Sequence, residues 1–429
     1  MKVAVLGLWH LGTVTAACLA AAGHDVVGIE TDANVVAALR EGRPPVFEPG
    51  LEELLKDGLR SKRLSFSSDM RALRDADLVW VTFDTPVDED DRADIHGIVE
   101  TVKKSFGDLA QSAVVVISSQ LLVGTTAKLQ EACATAFKDK NVVFASSPEN
   151  LRLGRAIAAF KQPDRVVVGV AEGAARERIE QCLRPITTRI EWMSIESAEM
   201  TKHALNAFLA TSVVFANEVA SLCETVGADA AEVERGLKSD SRIGPSAYLA
   251  PGGAVSGGTL LRDVGYLVDL GGANGVPVHL LAATRASNDA HKMWTRRRLA
   301  DALGVVRGRR ITVWGLTYKP GTSTLRRSGA IELCDWLSEE GATVSAHDPV
   351  VRTLPAGAGR HVIVHDDPLA AAAGADALVL ATPWPEYRAV SADAIVRALA
   401  RPLVLDPGRF LAGTIGADPR VTYLTVGKR

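Results

Sequence analysis

The sequence predicts an α/β protein, built from two doubly wound parallel-sheet domains that are joined by a central helical domain. Short β-branched runs alternate with helical stretches at both ends of the chain, which is typical of doubly wound sheets. In the middle third, strand patterns disappear and long segments with helical apolar periodicity take their place. We therefore divide the 429 residues into domains at 1–195, 196–304 and 305–429.

The first domain alternates five predicted strands with helices. The strands lie in the runs KVAVLGL, DVVGIE, DLVWVTF, AVVVISS and NVVFASS, and the first helix lies near Thr13–Ala22. The middle domain opens with the segment EMTKHALNAFLATSVVFANEVASLCETVG, which predicts a long helix. In the third domain the strand runs are RRITVWGL, TVSAHDP, DALVLAT and PLVLD, with a helix near Ile331–Glu340.

Composition disfavours several classes of protein. Lys and Arg number 48 against 51 Asp and Glu, a net charge of −3 without a basic block, so a nucleic-acid surface is not expected. The apolar stretch at 204–220 is interrupted by Asn206, Ser212 and Asn217, which makes it too polar for a membrane span of about 20 residues. No secretory signal is indicated at the N-terminus. We expect a cytoplasmic protein with neither a membrane nor a nucleic-acid partner.

The cysteines do not form a recognisable framework. The five are Cys18, Cys133, Cys182, Cys223 and Cys334. An odd number of widely spaced cysteines without a C-x-x-C pair disfavours both disulfides and a zinc site. We expect reduced thiols and no bound metal.

A dinucleotide-binding pattern follows the first strand. Gly7-Leu8-Trp9-His10-Leu11-Gly12 stands in a strand–turn–helix context, where Gly-x-Gly-x-x-Gly binds a pyrophosphate. Glu30, at the end of the second strand, is placed to accept hydrogen bonds from the adenosine ribose, which favours NAD over its 2′-phosphorylated relative. Trp9 replaces the middle glycine. Either this Rossmann-like turn no longer holds a cofactor, or Trp9 points away and leaves the helix N-terminus to the phosphates.

Ten segments along the chain carry a family resemblance. They are GLWHLGTVTAACLAAAGHDVVGIETD, PPVFEPGLEELL (44–55), DTP (84–86), SPENLRLGRA (147–156), PDRVVVG (163–169), AEMTKHALNAFLATSVVFANEVASLCETVGAD (198–229), RIG (242–244), PGG (251–253), GLTYKPGTSTLRRS (315–328) and HDP (347–349). In this order and spacing they resemble the UDP-glucose/GDP-mannose dehydrogenase family. The resemblance implies oxidation of the C6 hydroxyl of a nucleotide sugar to a carboxylate with two NAD. It also implies an NAD domain, a helical domain that forms a homodimer, and a C-terminal nucleotide-binding domain.

The resemblance further implies which residues bind the two ligands. For NAD they are Gly7, Trp9, His10, Leu11, Gly12, Glu30, Thr85, Pro86 and Gln120. For the nucleotide sugar they are Leu151, Arg152, Arg242, Tyr248, Gly252, Lys319 and Arg326.

Four polar side chains are candidate catalytic residues. Oxidation of the alcohol needs a proton acceptor and donors for the developing oxyanion. Lys202 and Asn206 lie four apart on one predicted helix, so both can face a single pocket. In the family these positions line the C6 site. The resemblance implies that Asp263 handles water or acts as a base, and that Glu149 acts in aldehyde oxidation or thioester hydrolysis.

The second oxidation step lacks its nucleophile. The family's segment G-F-G-G-S-C-F-P-K-D corresponds to 254–263, where Thr259 takes the place of the cysteine. A thiol with a pKa of ~8.5 is partly ionised at neutral pH, whereas an alcohol ionises near the ~15.7 of water. Further departures are Gln120 for a threonine, Leu153 for an acidic residue and Arg262 for a lysine. The equipment for thioester hydrolysis is thus largely missing.

Three functions remain open from the sequence. The first is an NAD-linked oxidoreductase on a nucleotide sugar that stops at the aldehyde, oxidises its hydrate directly or returns the hydride. The second is the four-electron dehydrogenase with a relocated nucleophile. The third is a catalytically inert sugar-nucleotide-binding homologue, favoured by Trp9 together with Thr259.

Overall fold

The computed structural model describes residues 1–85, 94–149, 151, 153–171, 173–355, 357–359 and 361–429. By contacts between Cα atoms it separates into an amino-terminal unit, Met1–Ala204, and a carboxy-terminal unit, Leu205–Arg429. The predicted division into three domains stays a prediction.

The amino-terminal unit is built on one eight-stranded sheet. Its strands are β1 (Lys2–Leu6), β2 (Asp25–Ile29), β3 (Leu64–Ser67), β4 (Leu78–Val81), β5 (Val114–Ile117), β6 (Val143–Ser146), β7 (Val166–Gly169) and β8 (Ile190–Met193). Their order is β3-β2-β1-β4-β5-β6-β7-β8, with every pair parallel except β6 and β7. The fully apolar central strands β4 and β5 are buried along their whole length, as expected of a parallel sheet that is covered on both faces.

Helices cover this sheet. They are α1 (His10–Ala21), α2 (Ala33–Arg40), α3 (Leu51–Arg60), α4 (His96–Ser105), α5 (Thr125–Ala136), α6 (Ala156–Lys161), α7 (Ala174–Leu183) and the start of α8 (Ile195–Val226). Helix α1 is buried from Leu11 through Ala20, because its sequence is apolar or small on every face. It packs against α3 and α6 over the central strands and so fixes the loop that precedes it.

The carboxy-terminal unit combines helices with a second sheet. After α8 come α9 (Ala230–Ser239), α10 (Thr259–Ala273), α11 (His279–Lys292), α12 (Trp294–Leu303), β9 (Arg310–Trp314), α13 (Gly329–Glu339), β10 (Thr343–His347), β11 (Ile363–His365), α14 (Pro368–Ala372), β12 (Ala377–Leu380), α15 (Ala392–Ala398), β13 (Leu403–Leu405) and β14 (Thr422–Leu424). The six strands are all parallel in the order β11-β10-β9-β12-β13-β14. Residues 194–309 are all described and contain no strand, which confirms the predicted helical middle.

In each sheet the chain's first strand lies in the interior, so that the strand order reverses beside it. Strands β2 and β4 flank β1, and β10 and β12 flank β9. Ligands of doubly wound sheets bind at such a switch point, outside the carboxyl ends of the strands. A ligand site is therefore expected at the loops that follow β1 and β9.

Helix α8 has the length and apolar composition of a membrane span. It contains 32 residues, its most apolar stretch has a mean hydropathy of 1.3, and 39% of that stretch is buried. A core helix of a soluble protein meets the same criteria. The absence of a membrane partner therefore stays a prediction, and the composition of 204–220 does not decide it.

Candidate active site

The turn from β1 into α1 requires both Gly7, in the loop, and Gly12, in the first turn of α1. Gly7 has a φ of +93°, and a Cβ there would lie 2.6 Å from the Phe83 ring. A Cβ on Gly12 would lie 1.8 Å from the Gly7 carbonyl oxygen, which shows how closely α1 approaches the first strand. These are the contacts for which a phosphate-binding turn needs glycine: a tight turn and close helix–strand packing.

Trp9 does not disturb this loop. Its φ of −79° lies outside the left-handed region that favours glycine, and 51% of the residue is exposed. The next residues begin α1, whose first N–H groups have no partner within the helix. Leu11 is buried in the core, so only its backbone can contribute to binding.

Glu30 lies beside the same loop, as predicted. Its carboxylate accepts hydrogen bonds from the N–H groups of Leu8 at 3.0 Å and Thr31 at 2.8 Å. It remains partly exposed at the end of β2. This is where a carboxylate can accept ribose hydroxyls.

A buried carboxylate that sequence reasoning missed anchors His10. Nε2 of His10 donates to Glu48 at 2.9 Å, and Glu48 also accepts the N–H groups of Gly154 and Ala156, both at 2.8 Å. Glu48 therefore ties the start of α1 to the start of α6. The only signal in the sequence is its place in PPVFEPGLEELL, which by itself indicates no partner.

Asp84 is a second residue that the sequence analysis did not single out. It follows β4 at the carboxyl edge of the sheet. Burial raises its pKa to about 6, against a lowering effect from His10 and with a smaller raising effect from Glu149. A carboxyl group with such a pKa is suited to proton transfer near neutral pH.

Two predicted NAD residues meet at this edge. The Thr85 hydroxyl donates to the Gln120 carbonyl oxygen at 2.7 Å, which joins the loops after β4 and β5. Pro86, the third residue predicted there, lies outside the described residues.

The structure brings Lys202 and Glu149 together. Nζ of Lys202 donates to the Glu149 backbone carbonyl at 2.6 Å and lies 3.8 Å from its carboxylate, and 10% of the lysine side chain is exposed. The Glu149 carboxylate also accepts the N–H of Leu151. Arg152 lies outside the described residues. The Lys202 ammonium group is therefore fixed by hydrogen bonding and largely shielded from water. It is not a solvent-exposed charge on the helix surface.

In the carboxy-terminal unit, Asn206 donates its side-chain amide hydrogen to the fully buried Asp263 carboxylate. Arg262 lies 3.5 Å from the same carboxylate. Thr259 is exposed and is the first residue of α10, one turn before Asp263. Two of the predicted catalytic residues thus form one contact, with Thr259 on the same side of α10.

The predicted sugar-nucleotide residues of this unit come from separate segments of the chain. Arg242 is exposed and pairs with Asp240 at 2.7 Å, while Tyr248 is exposed. The N–H of Gly252 donates to the Asn217 side chain at 2.9 Å. A cavity of about 130 Å³ is lined in part by Gly252, Tyr318 and Arg327.

Lys319 and Arg326 both lie in the loop that follows β9. The ammonium group of Lys319 lies 5.5 Å from the centroid of the Tyr318 ring, and Arg326 is exposed. Across the described ranges, His, Cys, Asp and Glu side chains form no group of three that could hold a metal ion.

Comparison with known proteins decides the family. Models of the UDP-glucose/GDP-mannose dehydrogenase family match the chain with the NAD binding domain at 1–187, the central domain at 196–290 and the UDP binding domain at 312–412. The chain belongs to this family. The UDP-glucose 6-dehydrogenase of Pseudomonas aeruginosa is 36% identical, and the match spans 100% of this chain and 98% of that protein. The enzyme of the same name from Rhizobium meliloti is also 36% identical, with both chains covered in full.

Solved structures agree with the fold. The UDP-glucose dehydrogenase of Pyrobaculum islandicum has a TM-score of 0.87 at 30% identity, with 100% of this chain and 98% of that chain covered. The UDP-D-ManNAc dehydrogenase of Pyrococcus horikoshii has the same TM-score at 24% identity, covers 100% and 99% of the two chains, and shows the fold alone. The prediction of an α/β fold with two sheets and a helical middle is confirmed.

Membership settles the general activity and its cofactor. The protein is an NAD-dependent oxidoreductase of the nucleotide-sugar dehydrogenase type, with a nucleotide-sugar substrate. The residues present fit NAD: the two glycines permit the tight turn and the close approach of α1 that a dinucleotide-binding turn needs, and Glu30 accepts the Leu8 N–H in the same turn. The inert alternative, which rests on Trp9 together with Thr259, stays a hypothesis.

Replacement of Asp84 by Asn is expected to stabilise the protein at pH 7.5 by less than about 1 kcal/mol, because the residue is exposed and water screens its charge, and to have no effect near pH 4. Because the folded-state pKa of this carboxyl lies above its ordinary value, its stability contribution is complete below about pH 4 and declines as the pH rises through about 6. Denaturant unfolding at the two pH values measures the effect. Replacement of the exposed Asp75 by Asn is the control. An equal change in stability at both pH values would contradict the assignment of the shift to ionisation.

Proposed function

We propose that the chain oxidises the C6 hydroxyl of a UDP-hexose, UDP-glucose first, with NAD, and that no thioester forms on the enzyme. The relatives that match over the full length are UDP-glucose 6-dehydrogenases, which supports this substrate. The absence of a thioester is supported by the burial of the thiols. All five cysteines are buried, and the position that the resemblance assigns to the nucleophile holds Thr259.

The buried thiols are poor nucleophiles. Burial raises the pKa of the Cys18, Cys182 and Cys334 thiols to about 12 in each case, and it raises that of Cys133 as well. Cys223 lies in the core of the carboxy-terminal unit beside Trp294. Since the thiolate is the reactive form, none of the five supplies a substitute nucleophile. This counts against a four-electron oxidation by a relocated cysteine.

On this proposal the amino-terminal unit holds the cofactor and a cationic group. The Gly7–Gly12 loop and the first N–H groups of α1 hold the diphosphate, with His10 and the backbones of Trp9 and Leu11 at its edge. Glu30 accepts the ribose hydroxyls, and Thr85, Pro86 and Gln120 complete the binding surface. When bound, NAD accepts the hydride from C6.

The alcohol itself is handled by side chains that the resemblance assigned to catalysis. Lys202 stabilises the oxyanion that develops when the C6 hydroxyl loses its proton, and Glu149 keeps the ammonium group in place. Asn206 fixes the Asp263 carboxylate, which orients water or accepts the proton. Thr259 stays uncharged and forms no bond to the sugar.

The nucleotide end of the substrate is assigned to the remaining candidates. We place Lys319, Arg326 and Arg242 at the diphosphate, because guanidinium and ammonium groups match phosphate oxygens. Leu151, Arg152, Tyr248 and Gly252 are assigned to the sugar and the base. The three-domain partition at 195/196 and 304/305 is part of the same proposal.

We also propose that the protein is a cytoplasmic homodimer. Phe208, Phe215 and Leu222 repeat every seven residues on α8 and are 68%, 48% and 65% exposed, which leaves an apolar stripe for a second copy. The five cysteines are free thiols, as expected in a reducing compartment. Light scattering is expected to give twice the chain mass, and Phe215→Glu to shift it towards the mass of one chain.

The Thr259→Cys variant tests the chemistry. A thiol at the start of α10 is activated by the helix N-terminus, so with UDP-glucose and NAD we expect it to add to the C6 aldehyde. Loss of hydride to NAD then leaves a thioester. Because Gln120 and Leu153 replace polar residues of the family, this thioester should accumulate, and intact-protein mass spectrometry should show the sugar nucleotide on the enzyme.

The matched control is Thr259→Ser, which keeps a hydroxyl and should give no adduct. The wild-type protein should likewise show none. A sugar adduct on any side chain of the wild type would contradict the proposal.

A further inference from the structure

Three side chains from the first turns of α8 bind the backbone of two loops at the carboxyl edge of the amino-terminal sheet. Glu199 accepts the N–H groups of Gly124 at 2.6 Å and Thr126 at 3.0 Å. His203 donates from Nε2 to the Leu121 carbonyl at 3.1 Å. Lys202, between them in the chain, donates to the Glu149 carbonyl.

These two loops carry several of the candidate ligand-binding and catalytic groups at this edge. The loop after β5, residues 118–124, contains Gln120, whose carbonyl accepts the Thr85 hydroxyl. The loop after β6 contains Glu149. One helix therefore determines where both loops lie.

Glu199 caps the N-terminus of α5, a role that in most helices falls to a residue next to the helix in the sequence. The N-cap of α5 is Gly124, with a φ of +87° and no side chain to accept the first N–H groups. A serine or aspartate usually fills this role from within the same segment. Here the carboxylate comes from 75 residues away, is 4% exposed, and meets the positive end of the α5 dipole. A local cap would stabilise α5 equally well, whereas a cap from α8 also fixes the loop relative to Lys202.

We propose that Glu199 is a positioning residue for the cofactor: by capping α5 from α8, it holds the Gln120 loop and its contact with Thr85 in the geometry that binds NAD. This inference rests on the proposed assignment of Thr85 and Gln120 to the NAD site. It does not depend on whether the sugar is oxidised by two or by four electrons.

Two variants of Glu199 and one control test the role. Glu199→Gln keeps one acceptor oxygen and the shape of the side chain, whereas Glu199→Ala removes both hydrogen bonds. We expect the Kd for NAD to rise about tenfold in Glu199→Gln and further in Glu199→Ala, as for the loss of hydrogen bonds to a charged group. The rate at saturating NAD should stay within about twofold of the wild type in Glu199→Gln, because no group that touches the sugar has changed. Glu196→Gln, an exposed residue of the same helix, should leave the Kd unchanged.

Calorimetric titration with NAD, steady-state kinetics and melting temperatures separate positioning from a merely structural role. A Kd for NAD within twofold of the wild type in Glu199→Gln overturns the proposal, whatever happens to the melting temperature. A fall in the rate at saturating NAD with an unchanged KM for NAD overturns it as well. Thr85→Val tests the underlying assignment separately: if its Kd for NAD is unchanged, the contact between Thr85 and Gln120 does not belong to the NAD site.

Discussion

The Lys202→Met variant is expected to lose about a thousandfold in kcat while its affinity for NAD stays within about twofold of the wild type. The ammonium group is largely withdrawn from water and is aimed by the Glu149 carbonyl, so its charge is weakly screened where an oxyanion develops. Methionine has a similar length and no charge. Steady-state assays with UDP-glucose, together with calorimetric titration of NAD, measure both quantities.

Lys128→Met is the matched control for this change. Lys128 is an exposed lysine of α5 in the same unit, so its replacement should leave kcat unaltered. A kcat of Lys202→Met within tenfold of the wild type would show that another group stabilises the oxyanion.

Gly12→Ala is expected to have the largest effect on the fold of the amino-terminal unit. The new Cβ would lie 1.8 Å from the Gly7 carbonyl oxygen and 2.6 Å from Oγ1 of Thr82, so either α1 or the loop before it must move. Such overpacking should cost about 3 kcal/mol of unfolding free energy. The displaced loop should also bind NAD much more weakly, which denaturant unfolding and NAD titration will show.

Gly97→Ala is the matched control, because it also replaces a glycine hydrogen by a methyl group. A Cβ on Gly97, in α4, would meet no heavy atom within 4 Å, and alanine favours a helix more than glycine does. Gly97→Ala should therefore be neutral or slightly stabilising. If Gly12→Ala unfolds at the same denaturant concentration as Gly97→Ala, the packing of α1 against the turn after β1 tolerates a methyl group, which would contradict the account.

The sequence predicted the central strands of both sheets because they are continuous buried apolar runs with helices between them. It missed β3, β7, β8, β11 and β14, each of which is three or four residues long and not fully buried, so their patterns do not stand out. The antiparallel pairing of β6 with β7 was also not predicted, since strand direction is set by the path of the connecting loop. Helix α1 begins at His10, three residues before the predicted start, because Trp9 provides no side-chain cap that would mark it.

The glycine loop and Glu30 could be predicted because their functions depend on residues that are close in the sequence. Other contacts depend on residues that are distant along the chain. Lys202 and Glu149 were each proposed from the resemblance, but only the fold places them in contact. Glu48 and Glu199 were missed for a related reason: burial and partners many residues away give these carboxyl groups their roles.

The central claim is that, without an enzyme-bound ester, the sugar is oxidised no further than the aldehyde, and it is tested most directly by counting NADH against sugar. UDP-glucose in known amount is consumed with excess NAD, NADH is measured by absorbance, and the sugar product is identified by mass spectrometry. We predict at most one NADH per UDP-glucose and no uronic acid. Two NADH per sugar together with the uronic acid would contradict the account.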